Sequence, residues 1–216
     1  MRKSVFALVA VAITLVPAAS ASASEPILFV HGFSGAAWNW DVMIDRFEGD
    51  GYPAGELRAI SYNSAQSNAA TAQEVSREVQ ELQAATGAAK VDIVSHSMGG
   101  LSSRYYLKNL GGTTNVDDWV SIGGPNHGTW TAAACSLLAS CREMIPGSSF
   151  LRGLNSADET PGSVNYGTFW SPCDEVINPD GSVVLSGAAN TRTGCIGHLS
   201  LLVSSSVYTG VRGFVR

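Results

Sequence analysis

The segment Ser95-His96-Ser97-Met98-Gly99-Gly100 puts a hydroxyl in the setting that nucleophilic catalysis requires. An apolar run feeds into Ser97 and a helical pattern leaves it, the context of a nucleophile elbow of the G-x-S-x-G kind. The bend is tight, so the residues two before and two after the nucleophile must be small. Ser95 and Gly99 satisfy this, although serine replaces the commoner glycine at the first position. Such a turn lifts the Ser97 hydroxyl out of the sheet and aims the next backbone N–H, that of Met98, at the reacting oxygen. The helix start adds favourable partial charge for a developing anion. Ser121-Ile122-Gly123 repeats the triplet and serves as a control. There Trp119 is too bulky for the elbow, and Gly124-Pro125 stand where a helix should begin.

A serine nucleophile needs a base, and the base needs an orienting acid. On a strand–elbow–helix unit the chain order is Ser, then Asp or Glu, then His. His31 and His96 precede Ser97, and His127 follows too closely. His198, in Gly194-Cys195-Ile196-Gly197-His198-Leu199, leaves room for an acid from a later strand. Asp117, Asp118 and Asp158 precede strands and so belong to the wrong edge of a sheet, while Asp180 sits in the turn sequence Asn178-Pro179-Asp180-Gly181. Asp174 follows a strand, and Glu175 beside it is the reserve candidate. The second oxyanion donor is expected from the loop His31-Gly32-Phe33-Ser34-Gly35, with the N–H of Phe33 as the donor. His31 reads as a structural hydrogen-bonding residue.

The elements that must position these groups alternate. The short apolar run at residues 26–30 reads as a buried parallel strand, residues 56–61, 90–95 and 119–122 read as further strands, and 164–170 and 190–193 join them later. Helical spacing is found at residues 38–47, 67–86 and 101–110, and a closing helix is expected at 199–207. Strands alternating with helices imply an α/β fold, a mostly parallel central sheet with helices on both faces, whose ligands bind beyond the carboxyl ends of the strands. Residues 125–163 break the rhythm and read as a partly helical excursion over the sheet edge.

The chain has 216 residues, a formal charge of −5 and only 14% charged residues. Globular domains carry about one quarter. No basic stripe exists to neutralise phosphates, which argues against a nucleic-acid partner. Residues 1–23 read as a signal peptide removed on export: Arg2 and Lys3, an apolar run broken by Pro17, then Ala19-Ser20-Ala21-Ser22-Ala23. The apolar run is shorter than the roughly 20 residues that span a bilayer. Residues 24–216 are then expected to form one domain. The four cysteines of an exported chain suggest disulfides, of which three pairings are possible. Cys135–Cys141 and Cys173–Cys195 are favoured, and zinc competes poorly because no Cys-x-x-Cys is present. The second bridge would tie the Asp174 loop to the His198 loop.

Taken with Ile122-Gly123-Gly124-Pro125-Asn126-His127-Gly128-Thr129 and the run Met144-Ile145-Pro146-Gly147-Ser148-Ser149-Phe150-Leu151, these motifs resemble the small secreted bacterial lipases, the class 2 lipases of the α/β-hydrolase superfamily. The resemblance covers nearly all of residues 24–216. It implies a minimal α/β-hydrolase fold and hydrolysis of triacylglycerols or other carboxyl esters. The implied triad is Ser97, Asp174 and His198, with Phe33 and Met98 as oxyanion donors. Polyester hydrolysis or acyl transfer on the same fold is the alternative. No cofactor or metal is called for. The expected substrate is a lipid or other ester met at a lipid–water interface, by a monomer. Phe33, Trp130, Leu137 and Ile145 are expected along the acyl pocket.

Overall fold

Six short strands run in one direction through the centre of the computed structural model, which describes residues 24–215. The expected leader, residues 1–23, lies outside the described residues. The strands are β1 (Ile27–Val30), β2 (Leu57–Ala59), β3 (Val91–His96), β4 (Val116–Ile122), β5 (Asn165–Trp170) and β6 (Ala189–Arg192), in the spatial order β2-β1-β3-β4-β5-β6. Every pairing is parallel. Each strand therefore needs a crossover, and the crossovers coat the sheet.

The two-residue period of β1 divides the core. Leu28 and Val30 pack with Val75, Val79 and Leu82 of α2 (Asn68–Thr86) and with Tyr106 and Leu107 of α3 (Gly99–Asn109). Ile27 and Phe29 face the other way, against Met43 and Phe47 of α1 (Asp41–Gly49) and Val207 and Val211 of α6 (Ser205–Phe214). Alternating side chains with helices on both faces is what an α/β sheet of buried strands demands. Helix α2 starts where the Ser67 hydroxyl accepts the N–H of Ala70 and stops at Gly87, whose φ of 75° an L side chain resists.

Two expected helices are displaced. The segment 38–47 enters through a tight 3-10 turn, Ala37–Trp40, before α1 begins at Asp41. The closing helix expected at 199–207 is instead a 3-10 turn, Leu199–Leu202, followed by α6. The break has a local cause: the Ser204 side chain accepts the N–H of Val207 and caps a new helix there. The β-branched residues Val203 and Val207, poor helix formers, stand on either side of this joint.

The excursion after β4 contains a 3-10 turn (Trp130–Cys135), α4 (Ala139–Met144) and α5 (Ser149–Leu154). Its apolar residues Ala132, Met144, Leu151 and Leu154 pack on Met98 and Leu101 at the start of α3. The Glu143 carboxylate accepts both the backbone N–H (2.6 Å) and the side-chain amide (2.9 Å) of Asn68, which fastens α4 to the N-terminus of α2. The excursion thus builds a wall at the carboxyl edge of the sheet, beside Ser97.

Candidate active site

All the candidate groups leave carboxyl ends of strands, on one edge of the sheet. Ser97 follows β3, the Gly32-Phe33 loop follows the adjacent β1, Asp174 follows β5 and His198 follows β6. Ser97 has φ 54°, a left-handed backbone in a residue with a side chain. Strain of that kind persists only where neighbours over-determine it. Here the neighbours are two glycines. A Cβ on Gly32 would lie 2.6 Å from Ser97 Cβ, and one on Gly99 would lie 2.5 Å from the carbonyl oxygens of Val30 and His31. The small residue demanded of the elbow at position 99 is therefore also demanded by its packing against the carbonyl oxygens at the end of β1.

Asp174 and His198 meet. His198 Nδ1 lies 2.8 Å from Asp174 Oδ2, with both side chains nearly buried. The other carboxylate oxygen accepts the backbone N–H groups of Val176 (3.0 Å) and Ile177 (2.9 Å). Burial alone would push the Asp174 carboxyl up. The His198 ring and these two N–H groups outweigh it and hold the carboxyl below its ordinary value. The reserve candidate has a different place: Glu175 accepts the backbone N–H of His198 at 3.0 Å and so supports the base loop. Ser97 and His198 line the same cleft without a hydrogen bond between their side chains. Such contacts often close only around substrate. Among the described residues, neither the Phe33 nor the Met98 backbone N–H has a protein acceptor, which leaves both free for an oxyanion.

Both favoured disulfides are present, Cys135–Cys141 and Cys173–Cys195. The second joins the residue before Asp174 to the loop three residues before His198, and it closes a separation of 22 residues. Chain-entropy arguments give such a bridge about 3 kcal/mol. Replacing both Cys173 and Cys195 with serine is expected to cost about that much in urea denaturation, and to lower kcat more than KM rises. Unchanged kcat would mean that the bridge does not hold the acid and base loops in register.

Residues 24–186 match the profile of the family described as Lipase (class 2). The chain belongs to the class 2 lipase family. It is a carboxylic-ester hydrolase with an α/β-hydrolase fold. Its backbone is similar to the mature form of the Bacillus licheniformis lipase BlEst2, with a TM-score of 0.78 at 18% identity over 92% of this chain and 94% of that one. It is similar to Aspergillus fumigatus lipase B, with a TM-score of 0.70 at 20% identity, covering 90% of this chain but 54% of that one. The Legionella pneumophila phospholipase PlaB also shares the fold, with a TM-score of 0.72 at 12% identity over 89% of this chain and 59% of that one.

In this class 2 lipase two chambers open from Ser97, sharing Phe33 and Val176 as walls. The first, of 330 Å³, is apolar and lined by Phe33, Thr129, Thr131, Ala132, Met144 and Ile177 among others. Both threonine hydroxyls are turned to the Val176 carbonyl oxygen, at 2.6 and 2.7 Å, so they leave the wall without a free polar group. Three of the four residues expected along this pocket are elsewhere. Trp130 is 58% exposed and Leu137 93% exposed, and Ile145 packs in the excursion's own core. Trp130 stands between Thr129 and Thr131 and points away from the pocket, whereas Met144 takes the place expected of Ile145. The second chamber, of 370 Å³, is lined by Ser34, Trp38, His96, Glu175, His198 and Leu199.

His96 is a residue that motif reasoning passed over. Its ring lies 4.6 Å from the His198 ring, and its Nε2 is 3.2 Å from the His198 carbonyl oxygen. Burial, then the neighbouring His198, push its pKa down to about 3, so it is neutral and can donate to that carbonyl. The signal in the sequence was its place at the end of a strand, directly before Ser97. His31 has the structural role expected: its ring stacks on Tyr62 at 4.0 Å and contacts the Gly32 carbonyl at 2.7 Å.

Proposed function

We propose that the protein is a secreted serine ester hydrolase, a triacylglycerol lipase or esterase, working through a Ser97–His198–Asp174 triad and an acyl-enzyme intermediate. The observation that carries this reading is the Asp174–His198 hydrogen bond, made on the rim of the cleft into which the Ser97 elbow opens. His198 Nε2 takes the Ser97 proton as Oγ attacks the ester carbonyl carbon. Asp174 holds Nδ1 protonated and stabilises the imidazolium that results. The N–H groups of Phe33 and Met98 stabilise the tetrahedral oxyanion, each worth about 3 kcal/mol in the transition state. His198 then protonates the departing alcohol. Water, activated by the same ring, adds to the acyl-enzyme and releases the carboxylic acid.

The proton route assigns the chambers. The leaving oxygen must lie beside the His198 ring, so the alcohol occupies the chamber that His198 lines. The acyl chain takes the other, apolar chamber, which His198 does not line. Apolar walls favour a hydrocarbon chain through burial of its surface. Export is supported by the leader-like residues 1–23 and by the two disulfides. On this reading residues 24–216 are the mature catalytic domain.

Labelling with an alkyl p-nitrophenyl phosphonate tests the assignment. A single adduct on Ser97, found by intact mass and peptide mapping and absent from Ser97→Ala, is the expected result. An adduct on another side chain would remove the proposed nucleophile.

A further inference from the structure

We propose that the alcohol chamber selects esters by charge, with Glu175 as the determinant: cationic and neutral alcohols are accepted, and anionic ones, including alcohols that carry a phosphate, are turned away. The inference rests on the proposed function, because it takes the His198 side of the cleft as the leaving-group side. The Glu175 side chain lines that chamber together with Trp38, Ser34 and Leu199. Among the described residues, no lysine or arginine lines either chamber. Glu175 also forms no ion pair with any described residue. It accepts the backbone N–H of His198, which engages one carboxylate oxygen without cancelling the charge.

A carboxylate without a counter-ion, in a concave site, sets the sign of the local potential. A cation in the alcohol part of the ester lowers its energy there, and Trp38, an aromatic side chain of the kind that attracts cations, lines the same chamber. An anion is repelled, and it meets no lysine or arginine that could compensate. A glycerophosphate leaving group is such an anion, so the chamber is built for acylglycerols and cationic-alcohol esters rather than for carboxyl esters of phospholipids. The acyl chamber, which is apolar, takes no part in this choice.

The test uses three butyrate esters of similar size on the full-length mature enzyme: the choline ester, its neutral isostere 3,3-dimethylbutyl butyrate, and 3-sulfopropyl butyrate. For the unmodified enzyme the expected order of kcat/KM is choline, then neutral, then sulfopropyl, with about three- to tenfold between neighbours at low salt. The ratios should shrink as ionic strength rises. Glu175→Gln retains an oxygen for the His198 N–H and removes the charge, so it should bring all three values together. Glu175→Lys should reverse the order. Hydrolysis of the neutral ester with no ranking by charge, or a ranking that persists in Glu175→Gln, would overturn the charge-selection proposal alone. Failure to hydrolyse even the neutral ester would instead overturn the proposed function.

Discussion

Ser97→Ala is expected to lower kcat on a short-chain p-nitrophenyl ester by a factor on the order of 10⁶, leaving little above the background that binding and the oxyanion donors supply. The folded protein should survive the change. Alanine retains the Cβ that already occupies the left-handed position, and Gly32 and Gly99 still give the elbow its room. The Ser97 side chain makes no hydrogen bond whose loss would unsettle its surroundings. Melting temperature and urea midpoint are therefore expected to stay close to those of the parent, and substrate or phosphonate analogues should still bind. Ester turnover that persists in this variant, with normal stability, would mean that another group attacks the carbonyl.

Asp174→Asn is expected to lower kcat by about 10⁴-fold, through the tautomer of its partner. The asparagine oxygen can still accept the N–H groups of Val176 and Ile177. Its amide then presents a donor to His198 Nδ1, which drives the ring proton to Nε2, where the Ser97 proton has to go. The variant also carries a pH signature. The native carboxyl is held below its ordinary value, so its stabilising effect is complete above the usual aspartate range, near 3.9, and is lost as pH falls through the lowered value. Denaturant titrations between pH 6 and 3 should show the parent losing stability on acidification more steeply than Asp174→Asn. Parallel profiles would deny the carboxylate its pairing with His198.

The parts of this molecule that follow a period were visible in the sequence. β1 is a short apolar run stopped by His31-Gly32, β3 runs into the turn at Ser97, and α2 has both a cap and a glycine stop. The strand–turn–helix at Ser97 followed from the sizes of Ser95 and Gly99, and Asp174, which meets His198, was singled out by its place after β5. The class 2 resemblance rested on the turn at Ser97 and the loop after β1 together with residues 122–129 and 144–151. What escaped has no period. The side of a 3-10 turn that faces inward depends on what it packs against, so Thr129 and Thr131 line the apolar chamber while Trp130 is exposed. The joint at Ser204 competes with a helix continuing from Leu199, and local propensity does not decide between them. His96 could be assigned no contact until β6 and the loop after it were folded across the end of β3.

The proposed nucleophile and oxyanion donors hang from β3 and β1, in the interior of the sheet, whereas the proposed acid and base hang from β5 and β6 at one margin. The outermost of these, β6, has four residues, all of them exposed. Half of the machinery is thus rooted in the most durable part of the molecule and half in its most easily frayed border, where Cys173–Cys195 is the covalent fastening. A reductant that opens this bond would disarm the enzyme while most of its scaffold still stands, so the useful lifetime of the catalyst is set at its border and not in its core.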